Sequence, residues 1–287
     1  MIHPALPAHR PLTTHRVTAL HVDFSLTLIL ELALLGLCTG FLAGPLGLGG
    51  GMLMVPFLTF ILTARGYPQA HVIKMAVATS LATICFTSLS SVRAHHRRGA
   101  VRWDIVRKLA PGILLGAFLG SQIAAAMPAR VLGYLFAGFV GFSATQMIFN
   151  RKPKPSRTLP GTGGMFGVGN LIGVISALVG AGGAFISVPF MTWCNITIHS
   201  AVATSAALGF PIALAGTIGY LVAGWNLPEM PPGALGYLYW PGFLVLSAAS
   251  MATAPIGARV AHSLDIAPLK QVFAVVLYAL MVYFTLR

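Results

Sequence analysis

Two glycine runs are the residues best placed to do chemistry. Gly47-Leu48-Gly49-Gly50, extended by Gly51, precedes Val55-Pro56-Phe57, and Gly180-Ala181-Gly182-Gly183 precedes Val188-Pro189-Phe190 at the same distance. Inside an apolar chain such runs break a helix, because glycine costs about 1 kcal/mol relative to alanine in a helix interior. The first N–H groups of the helix after the break have no intrahelical acceptor and carry the positive end of the dipole. Bare glycine backbone lets an anion reach them without a buried lysine. Hydroxyl donors come from a second duplication, Ala76-Val77-Ala78-Thr79-Ser80, repeated letter for letter as Ala201-Val202-Ala203-Thr204-Ser205. The candidate anion-binding residues are therefore Gly47, Gly49, Gly50, Gly51, Thr79 and Ser80, with Gly180, Gly182, Gly183, Thr204 and Ser205. Each feature also has a plainer reading, since glycines let membrane helices pack closely and Ser or Thr hydroxyls bond their own preceding carbonyls. Duplication at matched positions favours the site. Thr83, Thr87 and Ser88 follow without a counterpart, and Gly51 is matched by Ala184, so the two half-sites are expected to differ.

The elements that must position these residues are membrane helices. Of 287 residues 56 % are hydrophobic and 8 % charged, against about a quarter charged in a soluble domain. Runs such as 77–89 and 132–140 are apolar on every face, which excludes a membrane β-barrel of alternating polarity. The fold class is all-α, a polytopic helical membrane protein of two homologous five-segment repeats, each with a glycine-broken or re-entrant helix pair. The segments read as 26–45, 51–62, 71–92, 105–127 and 131–149, then 165–179, 184–194, 200–223, 235–254 and 269–286. By domain this gives a polar N-terminal tail over 1–25, a first membrane repeat over 26–149, a basic linker over 150–164 and a second membrane repeat over 165–287. The tail lacks an apolar core and does not read as a cleaved signal peptide.

A net charge of +13 does not point to nucleic acid, because the cations gather in short loops rather than on one water-facing patch. Arg93, Arg97, Arg98, Arg102, Arg107 and Lys108 form one cluster, and Arg151, Lys152, Lys154 and Arg157 another. Such clusters mark cytoplasmic loops. The loop equivalent to the first, 224–236, has no Lys or Arg, so the halves are expected to face opposite ways, with both termini outside. Three spanning helices plus a re-entrant hairpin, or five spanning helices, would each produce that inversion. Cys38, Cys85 and Cys194 have no metal or disulfide spacing, and neither a metal nor a cofactor is expected. No nucleophile pattern of an intramembrane hydrolase is present, so an enzyme is not expected. Gly116 and Gly120 offer a small-residue face for a homodimer or for the chain's own helices.

These duplicated motifs, with the closing Pro255-Ile256-Gly257-Ala258-Arg259, resemble the sulfite exporter TauE/SafE family, a family of anion transporters also called TSUP. The resemblance covers most of 40–286. It implies a bacterial inner-membrane transporter of sulfite, sulfoacetate or related organosulfonates, exporting them with proton coupling by alternating access. A channel of the same fold is the alternative. Coupling groups are few: Glu31 lies near the outer end of its segment, His71 and His199 begin the duplicated helices, and His95 and His96 belong to the basic loop. A weak acid such as hydrogensulfite could carry its own proton. The partners expected are a small anion and the lipid bilayer.

Overall fold

The computed structural model describes residues 25–46, 50–149, 156–227, 230–260 and 266–286. Ten α-helices run through them: α1 Leu26–Leu46, α2 Gly51–Ala64, α3 Gln69–His96, α4 Trp103–Ala126, α5 Ala129–Phe149, α6 Thr162–Val179, α7 Ala184–Trp193, α8 Ile198–Gly224, α9 Trp240–Val260 and α10 Ile266–Leu286. Six of these, α1, α3, α4, α5, α6 and α8, are long and apolar enough to cross a membrane. In contrast α2 has 14 residues and α7 has 10. At 1.5 Å per residue neither reaches across a hydrocarbon core about 30 Å thick.

Glycine sets the starts of both short helices. Gly50 (φ 72°) precedes α2 and Gly183 (φ 77°) precedes α7, and Gly180 (φ 71°) ends α6. These left-handed conformations are nearly free for glycine and strained for other residues. Pro56 and Pro189 sit inside the two short helices, where each removes one backbone hydrogen bond.

The helix expected over 235–254 begins five residues later, at Trp240. Its first part is instead a hairpin of β1 (Ala234–Leu235) and β2 (Leu238–Tyr239), with Ala234 opposite Tyr239. Gly233 (φ 78°) and Gly236 (φ 55°) make the turns that a continuous helix cannot contain. Before α6, the N–H groups of Ser156 and Arg157 both donate to the Trp193 carbonyl at the end of α7.

Glycine also packs the long helices. On α4, Gly112, Gly116 and Gly120 bear on Phe166, Asn170 and Val174 of α6, while Gly169 and Gly173 of α6 return the contact to Leu109 and Ile113. The residue numbers rise together, so α4 and α6 run parallel. Gly36 and Gly40 of α1 meet Leu246 and Ser250 of α9, and Gly257 of α9 meets Phe41, another parallel pair. The small-residue face at Gly116 and Gly120 therefore serves the chain's own helices. By contrast α3 and α8 run antiparallel, Leu81 against Gly216 and Ser88 against Gly209. So do α5 and α10, where Thr145 Oγ1 lies 2.7 Å from the Tyr278 hydroxyl and Phe136 stacks on Phe284. Within α3, 89 % of the apolar window is buried, against 33–50 % in the other five long helices. It is the central helix.

Alanine in place of two helical glycines should act with opposite signs. A Cβ at Gly116 would drive into the Asn170 backbone, whereas one at Gly138 of α5 meets nothing within 4 Å. Gly116→Ala is expected to lose about 1–3 kcal/mol to overpacking. Gly138→Ala is expected to gain about 0.5–1 kcal/mol from helix propensity. Thermal unfolding of the two purified variants checks the pair.

Candidate functional site

The duplicated Thr-Ser pairs lie toward opposite ends of the α3–α8 contact, in which Leu81 meets Gly216 and Ser88 meets Gly209. Thr79, Ser80, Thr204 and Ser205 are all buried on the antiparallel pair α3 and α8. In so apolar a place each hydroxyl must find a partner, and the partners form a pattern. Thr79 Oγ1 accepts the N–H of Tyr239, the residue just before α9, at 3.0 Å. Thr204 Oγ1 accepts the N–H of Arg102, the residue just before α4, also at 3.0 Å. Each threonine thus ties down the chain entering the fourth helix of the other half. The Ser80 hydroxyl donates to the Gly180 carbonyl at 2.9 Å, and Ser205 Oγ shares a hydrogen bond with Ser187 Oγ at 2.7 Å.

The two glycine turns meet beside Ser80. Gly51 packs against the Gly180 carbonyl and Ser80, and a Cβ there would overlap that carbonyl. A Cβ on Gly180 would stand 2.8 Å from Val55 Cγ2, and one on Gly50 would stand 2.9 Å from the Thr39 carbonyl. At Gly183 it would stand 2.5 Å from Ile212 Cδ1. All four positions are short of space, and Gly50, Gly180 and Gly183 are closed to larger residues by φ as well. Gly47 and Gly49 lie outside the described residues.

Between α3 and α8 a cleft of about 540 Å³, open mouth included, runs from the second glycine turn toward the α3–α4 junction. Gly182 and Ala184 lie in its wall with Thr87, Ser88, Ser91 and Ser205, and His95 lies toward the basic loop. Of the candidate glycines and hydroxyls, the cleft thus takes Gly182 and Ser205 directly. Thr79, Ser80, Thr204, Gly50, Gly51, Gly180 and Gly183 shape the packing around it and do not line it. Ser91 and Ser187 escaped the sequence reading because neither is duplicated. His95, read as part of the basic loop, belongs to the last turn of α3.

The other candidate groups lie elsewhere. Glu31 is in a partly exposed ion pair with Arg65 at 3.1 Å, and His199 is exposed. His71 packs its ring on Tyr237. At that end of the groove the hairpin tyrosines are buried. Burial raises the Tyr237 phenol above its ordinary range, and burial with the nearby Tyr67 hydroxyl raises that of Tyr239. Both stay neutral at physiological pH. Lys74, beside them, donates to the Ala125 carbonyl at 2.6 Å and lies 5.6 Å from the Tyr237 ring centre. That carbonyl is in the last turn of α4, where a cation meets the negative end of the helix dipole.

Six spanning-length apolar helices define an integral membrane protein. The family model described as "Sulfite exporter TauE/SafE" matches residues 32–284, and the chain belongs to that family. The chain is 36 % identical to a probable membrane transporter protein of Haemophilus influenzae over 88 % of its own length and 96 % of the relative's. It is 32 % identical to the probable membrane transporter protein YdhB of Bacillus subtilis, over 69 % and 79 % of the two chains. A probable membrane transporter protein of Methanocaldococcus jannaschii is 27 % identical, over 82 % and 85 %. No solved structure matches the chain. The protein is a membrane transporter, and the family read from its duplicated motifs is the family found.

The two threonine ties are testable together. Thr79→Val or Thr204→Val would leave a backbone N–H without its acceptor, at an expected cost of about 1–3 kcal/mol each. Thr→Ser at either position keeps the acceptor and should recover most of that loss. Thermal midpoints of the four purified variants read the result.

Proposed function

We propose that this transporter moves small sulfur-containing oxyanions, sulfite and organosulfonates such as sulfoacetate, by alternating access between two inverted repeats. The composition of the cleft wall carries the proposal. A groove walled by Thr87, Ser88, Ser91, Ser205 and the Gly182 turn has neutral hydroxyls, those of Thr87 and Ser88 now donating to carbonyls of their own helix and free to turn to a solute, and no carboxylate among its lining residues. A partly dehydrated oxyanion needs donors and is repelled by carboxylates. The short helix α7 begins beside this wall, and its first N–H groups add the positive end of a helix dipole. Thr79 and Thr204, occupied in tying loops, hold the groove in shape while the serines face the solute.

The antiparallel crossings of α3 on α8 and of α5 on α10 support the inversion of the repeats. So does the exchange in which α1 packs on α9 and α6 on α4. Arg93, Arg97 and Arg98, around the His95 end of the cleft, favour a cytoplasmic mouth in an inner membrane. They would also raise the local concentration of an anion leaving the cell. With no carboxylate in the cleft wall, proton coupling is best supplied by the substrate itself, entering as the protonated hydrogensulfite.

Ligand-dependent thermal stabilisation tests the substrate class. Sulfite, thiosulfate, sulfoacetate, taurine, sulfate and chloride would each be titrated against the purified protein. At a hundred times its Kd a true ligand stabilises by about 2.7 kcal/mol. Stabilisation by sulfite or an organosulfonate but not chloride is expected, and folded Gly183→Leu should lose it. A wild-type protein indifferent to every sulfur oxyanion would sink the assignment.

A further inference from the structure

The repeated Ala-Val-Ala-Thr-Ser segment sets a register in which Thr79 corresponds to Thr204. Continued along the helices, it pairs Ala206 with Leu81, Ser91 with Gly216 and His95 with Tyr220. The glycine motifs likewise pair Ala43 with Ser176. The contacts obey the same relation, for Leu81 meets Gly216 across the groove just as Ala206 and Ser91 both line the cleft. Every feature of the open cleft therefore has an equivalent position at the other end.

At that other end the equivalent positions are filled. Leu81 projects onto Gly216, so that a Cβ there would stand 2.8 Å from Leu81 Cδ1. Where His95 lies in the cleft wall, Tyr220 is wholly buried and its hydroxyl donates to the Ala177 carbonyl at 3.1 Å. Ser205 lines the cleft, whereas Ser80 donates to the Gly180 carbonyl. One polar group does not fit a permanently packed interior. Ser176, the counterpart of the cleft-lining Ala43, is 1 % exposed, and among the described residues its Oγ has no hydrogen-bond partner. That hydroxyl lies 3.1 Å from where a Cβ on Gly183 would be. Burying an unpaired hydroxyl is costly, and a state in which the region opens would relieve the cost.

We propose that this end of the groove is a second half-site for the same oxyanion, with Ser80 and Ser176 as donors and Leu81 and Tyr220 as the plug that closes it here. The choice of anion rests on the function proposed above, but the half-site and its plug do not. When the plug lifts, Tyr220 gives up the Ala177 carbonyl and Ser80 gives up the Gly180 carbonyl. Two hydroxyls then turn from protein to solute, and Ser176 gains its missing partner.

Cysteine accessibility in the full-length, detergent-solubilised protein reads the plug without any substrate. In a background with Cys38, Cys85 and Cys194 changed to alanine, a polar maleimide should label Ala43→Cys quickly and Ser176→Cys slowly. Adding Leu81→Ala and Tyr220→Phe should raise the Ser176→Cys rate at least about tenfold, because both changes weaken the closed state alone. Should that combination fail to elute as a monodisperse protein, Tyr220→Phe by itself keeps the ring, loses the latch and should raise the rate several-fold. A folded plug variant whose Ser176→Cys rate is unchanged overturns the proposal and leaves a fixed packing contact. If labelling rises but no sulfur oxyanion stabilises the wild type, the half-site stands and the choice of anion falls. If sulfite stabilises the wild type while labelling stays flat, the half-site alone is lost.

Discussion

An unpaired backbone N–H costs several kcal/mol in a medium without water, and the centre of this protein is arranged around meeting that demand twice. The chain must leave one half, turn, and begin a long helix against the other. At each of those entries one N–H, that of Arg102 or Tyr239, points at a buried threonine hydroxyl. The threonines stand at matched positions of α3 and α8, so each half completes the hydrogen bonding of the other. Neither half could close its own helix entry alone. The crossed packing of α1 on α9 and of α6 on α4 joins the same two halves a second way, through glycine contacts.

Much of this could be read in the sequence because duplication isolates the residues under special constraint. The glycine runs mark where helices stop, and the structure breaks the chain there, at Gly50, Gly180 and Gly183, each with positive φ. Long apolar runs gave helix boundaries to within a few residues except at α9, which starts at 240 rather than 235 and ends at 260 rather than 254. There, periodicity treats Ala234–Tyr239 as one more stretch of apolar chain, and only the spacing of Gly233 and Gly236 hints at a hairpin. The segment is apolar because the tyrosines it carries are buried against α3 and α8. Burial, not helix, explains its hydrophobicity.

What the sequence made legible was which hydroxyls and glycines sit under constraint, not which groups they bond. Thr79 and Thr204 read as donors to a solute, and the structure adds a use the sequence does not show, their oxygens accepting backbone N–H groups while each keeps its own O–H. Sequence carries residue type and spacing but not the direction of a hydrogen bond. Ser91 and Ser187 were invisible for a different reason. They repeat nothing, and an unrepeated serine in a membrane helix has a ready use in bonding its own backbone. His95 was assigned to the loop by its basic neighbours, but the last turn of α3 carries it into the cleft wall. Local charge composition cannot register which face of a helix end a residue occupies.

Two kinds of helix contact divide the molecule mechanically. Where α4 meets α6 and α1 meets α9, glycine brings backbone against backbone, so a small sliding motion would drive carbonyls into Cα atoms. Such pairs move as rigid units. Between α3 and α8 the contacts are made by side chains, Leu81 over Gly216 and Ser88 beside Gly209, and the Ser80 and Ser88 hydroxyls there donate to the Gly180 and Cys85 carbonyls. A leucine can change rotamer and a hydroxyl can exchange partners at the cost of about one hydrogen bond. Rearrangement is therefore cheapest in this groove, where the polar cleft also lies. With the cleft as the solute's path, as proposed above, the glycine contacts put stiffness where the halves grip each other and the hydroxyl side chains put freedom where the solute would pass.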